Sequence, residues 1–125
     1  SSLVSGVDLF PTLCDLAGVT PPEAMSGTSL RPALEGGALA DRTFVPVELA
    51  NGNAGLVRTD RYKYIRYDKD RTEMLFDLQQ DPGEATNLIS DPSAAEVLAQ
   101  HSALFDEWRS SLERPGAPNG RTRKA

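Results

Sequence analysis

Apolar positions fall into three regimes along this chain. Between Val7 and Ala17 they recur at helical spacing, so that Val7, Leu9, Phe10, Leu13, Leu16 and Ala17 share one broad face. Ser5 and Asp8 are placed to cap the start, and Gly18 suits the left-handed residue that follows a helix end. Pro11 lacks an amide hydrogen and should kink this helix or shift its start. From Thr20 to Asp41 the chain is rich in Pro and Gly, including Pro21-Pro22 and Gly36-Gly37, which predicts an irregular connector with no long element. Next come segments rich in β-branched and aromatic residues, Thr43 to Leu49, Ala54 to Arg58, Arg61 to Tyr67 and Glu73 to Leu78, separated by Asn51-Gly52-Asn53, Thr59-Asp60 and Asp68-Lys69-Asp70. That composition predicts antiparallel hairpins. In the last of them Met74, Phe76 and Leu78 lie on one face and Leu75 and Asp77 on the other, the alternation of a sheet half covered by another layer.

A helix is the natural cover. Asp91 can cap one whose first position is Pro92, and Val97, Leu98, His101, Leu104, Phe105, Trp108 and Leu112 form an apolar stripe along it. The predicted fold is therefore α+β: a small antiparallel sheet of about four strands covered by a long C-terminal helix, preceded by one amphipathic helix and the Pro/Gly-rich connector.

Composition narrows the function classes. The 125 residues, 39% hydrophobic and 25% charged, are ordinary for a globular chain, and no apolar run approaches the length needed to cross a bilayer. The net charge of −5 is unevenly spread: Arg114, Arg121, Arg123 and Lys124 crowd the last twelve residues, leaving 9 basic and 18 acidic residues over 1–113. A body this acidic repels nucleic acid and anionic membrane, so neither is expected as a partner. Residues 114–125, broken by Pro115, Gly116, Pro118 and Gly120, read as a disordered basic tail. The single cysteine excludes an internal disulfide and leaves the compartment open.

Three motifs, in order, carry a family resemblance. Glu73-Met74-Leu75-Phe76-Asp77-Leu78-Gln79-Gln80-Asp81-Pro82-Gly83-Glu84-Ala85-Thr86-Asn87-Leu88 resembles the E-x-L-Y/F-D-L-x-x-D-P-x-E-x-x-N-L run near the C-terminus of type I sulfatases, within the alkaline-phosphatase-like superfamily. Val7 to Val19, followed by Gly27-Thr28-Ser29-Leu30-Arg31-Pro32-Ala33-Leu34-Glu35-Gly36, is similar to that family's V-D-L-x-P-T-L-L-D-L-A-G helix and G-x-S-L-x-P-L-L-x-G loop. Val57-Arg58-Thr59-Asp60-Arg61-Tyr62-Lys63-Tyr64-Ile65 is similar to its V-R-x-x-x-Y-K-Y/L-I strand pair.

The resemblance implies a sulfuric ester hydrolase whose formylglycine, made from Cys or Ser in C/S-x-P-x-R, works beside a divalent cation, calcium or magnesium. Such chemistry needs an activated nucleophile and a Lewis acid. Cys14 is followed by Asp15-Leu16-Ala17, and no Ser opens S-x-P-x-R. The expectation is a C-terminal portion, inactive alone, with no catalytic or metal-ligating residue of its own. It would cap the catalytic α/β domain, its implied partner, and shape the substrate entrance. Residues 1–40 would be the terminal helix and connector of that α/β domain, and 41–113 the C-terminal subdomain. In isolation, Leu9, Phe10, Leu13 and Leu16 would form an exposed apolar patch that drives homo-oligomers or helix exchange. The family is often exported, to periplasm, lysosome or medium. A free-standing interaction module derived from the same fold is the alternative, and an independent hydrolase is a third class.

Other candidate residues have structural readings. Asp68 to Glu73 superficially suggests a calcium loop, but the sixth position is not glycine and the twelfth, Gln79, is not an acid. Asp81, Pro82, Glu84 and Asn87 read as turn-fixing residues. His101 reads as helix packing, because no partnered base stands near it in sequence. Cys14, on an apolar helix, reads as a buried thiol. Asn51 and Asn53, in the short polar segment between Glu48 and Gly55, are the candidates for the substrate mouth, where they would contact the sugar or aryl part of a sulfate ester.

Overall fold

Helix, connector, antiparallel sheet and closing helix follow one another in the computed structural model, which describes residues 2–23, 25–39 and 41–112. A 3-10 turn, Gly6–Asp8, leads into α1, Leu9–Leu16; the connector holds only the short α2, Arg31–Leu34. Strands β1 (Val45–Leu49), β2 (Ala54–Arg58), β3 (Tyr62–Tyr67) and β4 (Glu73–Asp77) form one sheet in the order β1-β2-β3-β4, antiparallel throughout. A 3-10 turn, Pro92–Ala94, then opens α3, Ala95–Leu112, and Asp91 Oδ1 accepts from the Ser93 amide at 2.8 Å as the capping residue. The α+β fold expected from periodicity is the observed one; the basic tail lies outside the described residues.

One register row makes the core. Val57, Tyr64 and Leu75 stand side by side across β2, β3 and β4 and are fully buried beneath Phe105 of α3. The Tyr64 and Phe105 rings meet edge to face at 5.8 Å, Phe105 and Trp108 at 5.4 Å, and the Arg66 guanidinium lies 4.2 Å over the Phe105 ring. Burial of a side chain of this size is worth roughly 2–3 kcal/mol. The buried Tyr64 hydroxyl donates to Glu73 Oε1 at 2.8 Å, and burial first, then that bond, pushes the phenol above its usual range. Close approach of α3 depends on Gly55, where a Cβ would stand 2.6 Å from Trp108 Cζ3 and 3.0 Å from Phe105 Cε2. On the opposite face Phe76 is also buried.

The closing motif protects the outer edge of β4. Asn87 Oδ1 accepts from the Leu75 amide at 3.0 Å and its Nδ2 donates to the Glu73 carbonyl, while the Leu88 amide donates to the Leu75 carbonyl at 2.8 Å. A side-chain amide thus continues the ladder where no further strand exists. Asp77 and Asp81 hold the turn that delivers it: Asp77 Oδ1 accepts from Gln79 and Gln80, and Asp81 Oδ2 from Thr86 at 2.7 Å. Arg61 forks onto Asp77 at 2.7 Å, which with the Gln80 and Gln79 amides holds that carboxyl below its usual range.

A second polar cluster anchors α1. Pro11 shifts the helix start, as its missing donor requires: the Val7 carbonyl, left without the residue-11 amide, lies against the Gly27 backbone, where no Cβ would fit. Asp8 is fully buried; Arg42 grips both its oxygens at 2.7 Å, and the Ser5 and Thr28 amides donate to it at 2.7 and 3.0 Å. Thr12 Oγ1 accepts from the Leu30 amide at 2.8 Å. These bonds bury Pro11 and Thr12 and tie helix, connector and the approach to β1 together. The opposite face stays bare: Leu9 is 62% exposed, Leu13 64%. Cys14 is accordingly half-buried, not the buried thiol its apolar setting suggested, because nothing in these residues covers that side.

Two outcomes follow. Gly55→Val drives a side chain into Trp108 and should lower stability by about 2–3 kcal/mol in urea titration. Arg42, then the backbone donors, hold the Asp8 carboxyl well below the usual carboxylate range. A depressed folded-state pKa contributes stability above the unfolded value near 4 and loses it as pH falls below that value. Asp8→Asn should therefore cost about 3 kcal/mol near neutrality, and the gap in melting temperature from the parent chain should narrow from pH 6 towards pH 3.

Candidate functional site

The connection between β1 and β2 carries the most unusual backbone in the molecule. Ala50, Asn51 and Gly52 all have left-handed φ, at 52°, 55° and 87°. Asparagine and glycine tolerate this; for alanine the crowding of Cβ against the carbonyl costs roughly 1–2 kcal/mol. Asn53 fixes the turn from within, its amide and its Nδ2 both donating to the Ala50 carbonyl at 3.2 and 3.0 Å. Neighbouring elements fix it from without. The Asp68 amide donates to the Asn53 carbonyl at 2.8 Å, and Arg109 Nη2 of α3 donates both to the Gly52 carbonyl at 3.3 Å and to Asp68 Oδ2 at 2.6 Å.

Both residues singled out from sequence lie here, but they do different work. The Asn53 side chain is spent on the turn itself. The Asn51 side chain is exposed at the tip and, among the described residues, forms no hydrogen bond. Sequence reasoning weighed Asp68 only as part of a calcium-like loop and missed Arg109, its partner here. The available signal was the spacing of Arg109 four residues after Phe105, which sets it beside the core stripe, and its guanidinium lies 5.2 Å over the Trp108 ring.

Beside the turn, Arg66, Tyr67, Asp68, Arg71, Glu73 and Asp106 line an open cavity of about 360 Å³. Within it Arg66 pairs with Asp106 at 2.7 Å, while Asp68 is held by Arg109 and Glu73 by the Tyr64 hydroxyl. A smaller hollow of about 120 Å³ borders Asp8 and Arg42, whose charges are spent on each other. His101 is buried, with Nδ1 2.8 Å from the Val97 carbonyl and Nε2 3.0 Å from Thr59 Oγ1. Nδ1 is engaged within α3 and Nε2 ties that helix to the β2–β3 turn, as the helix-packing reading has it. Among the described residues no group of three or more His, Cys, Asp or Glu side chains could hold a metal ion, and Cys14 lacks the sequence a formylglycine needs. The described residues thus do not fit the divalent cation or the formylglycine that the family resemblance implies, and no chemical step can be routed through either here.

Residues 1–111 match the family described as N-sulphoglucosamine sulphohydrolase, C-terminal, and the chain belongs to it. It is 38% identical over 109 residues to a Delta 4,5-hexuronate-2-O-sulfatase of Bacteroides thetaiotaomicron, and 35% identical over 107 residues to human arylsulfatase K. Those alignments take in 82% and 70% of this chain but only 23% and 19% of the relatives' lengths. Among solved structures, a 2-O GAG sulfatase superposes with a TM-score of 0.76 at 39% identity, covering 82% of this chain and 24% of its own. The phosphonate monoester hydrolase of Agrobacterium radiobacter superposes at 0.72 with 28% identity, covering 88% and 25%. No helix among the described residues is long and apolar enough to cross a membrane.

Strain at the turn is measurable. Ala50→Gly should raise unfolding free energy by about 1 kcal/mol in urea titration, because only the left-handed penalty is relieved.

Proposed function

We propose that this chain is the C-terminal portion of a sulfuric ester hydrolase, in which it caps a catalytic α/β domain and lends its β1–β2 turn to the substrate entrance. The observation that carries the reading is the bare apolar face of α1: Leu9, Phe10, Leu13 and Leu16 are each more than half exposed, in a chain whose relatives are sulfatases four times its length. A face of this kind requires a covering layer. On this reading residues 1–40 belong to the α/β domain and 41–113 form the subdomain that closes over it. The nucleophile and cation site belong to the covering domain. The Asn51 amide, free to donate and accept, then faces the part of the ester beyond the sulfate. The name of the hexuronate sulfatase supports a sulfated sugar there; the fold shared with a phosphonate hydrolase leaves the ester's central atom to the catalytic domain. Export of the whole enzyme is part of the same proposal.

In isolation the uncovered face should pair with a second copy. Sedimentation at micromolar concentration should find self-association that Leu9→Ser, Leu13→Ser and Leu16→Ser together abolish, and a clean monomer in the unsubstituted chain would contradict the docking role. The isolated chain should not turn over 4-nitrophenyl sulfate with calcium present. In the full-length enzyme, Asn51→Ala with Asn53→Ala should raise KM for a sulfated disaccharide by about fivefold, the worth of one hydrogen bond, relative to 4-nitrophenyl sulfate. An unchanged ratio would remove the turn from the entrance.

A further inference from the structure

We infer that Arg109 is a positioning residue for recognition of a sulfated saccharide: from α3 it fixes the Gly52 carbonyl and thereby aims the Asn51 amide. The inference rests on the proposed role of the β1–β2 turn and extends it to a residue with no place in that turn's sequence. An arch of consecutive left-handed residues at Ala50, Asn51 and Gly52 places the alanine in a crowded region, and such backbone persists only where its surroundings over-determine it. Internal bonds from Asn53 close the arch onto Ala50 but leave the Gly52 carbonyl unspoken for. Arg109 supplies that donor.

Its own geometry is determined on every side. The guanidinium lies 5.2 Å over the Trp108 ring and 5.5 Å from the centre of Phe105, the two rings that press on Gly55. Nη2 is shared between the Gly52 carbonyl and Asp68 Oδ2, and the Asp68 amide returns a bond to the Asn53 carbonyl. The closed circuit runs from α3 to the turn, to the end of β3 and back. A lysine could reach Asp68, but it has no flat surface to lie against the Trp108 and Phe105 rings, and it is that stacking which holds the guanidinium in place. The side chain of Arg109 touches no ligand position; it acts through Asn51.

The test is kinetic, in the full-length enzyme carrying this segment, with a sulfated disaccharide and 4-nitrophenyl sulfate as the two probes. Arg109→Met should raise KM for the disaccharide by about fivefold, leave its kcat within about twofold, and leave KM for 4-nitrophenyl sulfate unchanged. Asn51→Ala should do the same, and the double variant should be no worse than either single one, since both act through one contact. Loss of kcat on both probes with KM unchanged would make Arg109 merely structural and overturn the inference. If Asn51→Ala raises KM and Arg109→Met does not, the inference fails while the entrance role stands; if Asn51→Ala is silent, both fail. Should Arg109→Met not fold, Asp68→Ala, which removes the acceptor that holds Arg109 Nη2 and leaves the face of α3 intact, carries the same expectation.

Discussion

Phe105 seated on Val57, Tyr64 and Leu75 is the contact on which the rest of this fold depends. A sheet that is apolar on one face must bury that face against another layer, and α3 supplies it. The contact is possible only because β2 presents a glycine where Trp108 and Phe105 come closest. It also orders groups at the rim: Arg66 and Arg109 lie against the same rings, so the charges that reach the β1–β2 turn and β3 are placed by aromatic packing.

Residues before β1 obey a different logic. Their inward side is polar, built on a buried carboxylate with a bidentate arginine and backbone donors, and their outward side is apolar. That inverts the arrangement of a surface helix, where water meets polar groups. The Asp8 cluster keeps the helix attached while its apolar stripe is offered elsewhere. The proposed role as the cap of a larger catalytic domain would give this inversion its sense, in keeping with relatives about four times as long.

The closing motif also acquires a physical meaning. Asp77 and Asp81 gather the amides of the following turn, and Asn87 lays its amide along the open edge of β4. Acid and amide residues that might be taken for ligands are consumed by backbone groups. The family's most recognisable run thus records how the open edge of the sheet is sealed.

Hydrophobic periodicity and strand-forming composition determined the two main helices and the four strands, because each element buries one face and so writes its own period into the sequence. Caps and turns were equally local: Asp91 before Pro92, and Asp77 and Asp81 in the closing run, bond backbone a few residues away. The family, and the lack of its formylglycine motif, could be read from motifs in order. Only the tertiary structure decided that the Asp8 carboxylate is buried with Arg42, that Cys14 is not, that Gly55 admits α3, and that Arg109 reaches the turn 57 residues earlier. It also separated Asn53, spent on its own turn, from Asn51, which is free. These depend on which surfaces meet, and a contact between residues far apart in the chain leaves no period in either segment.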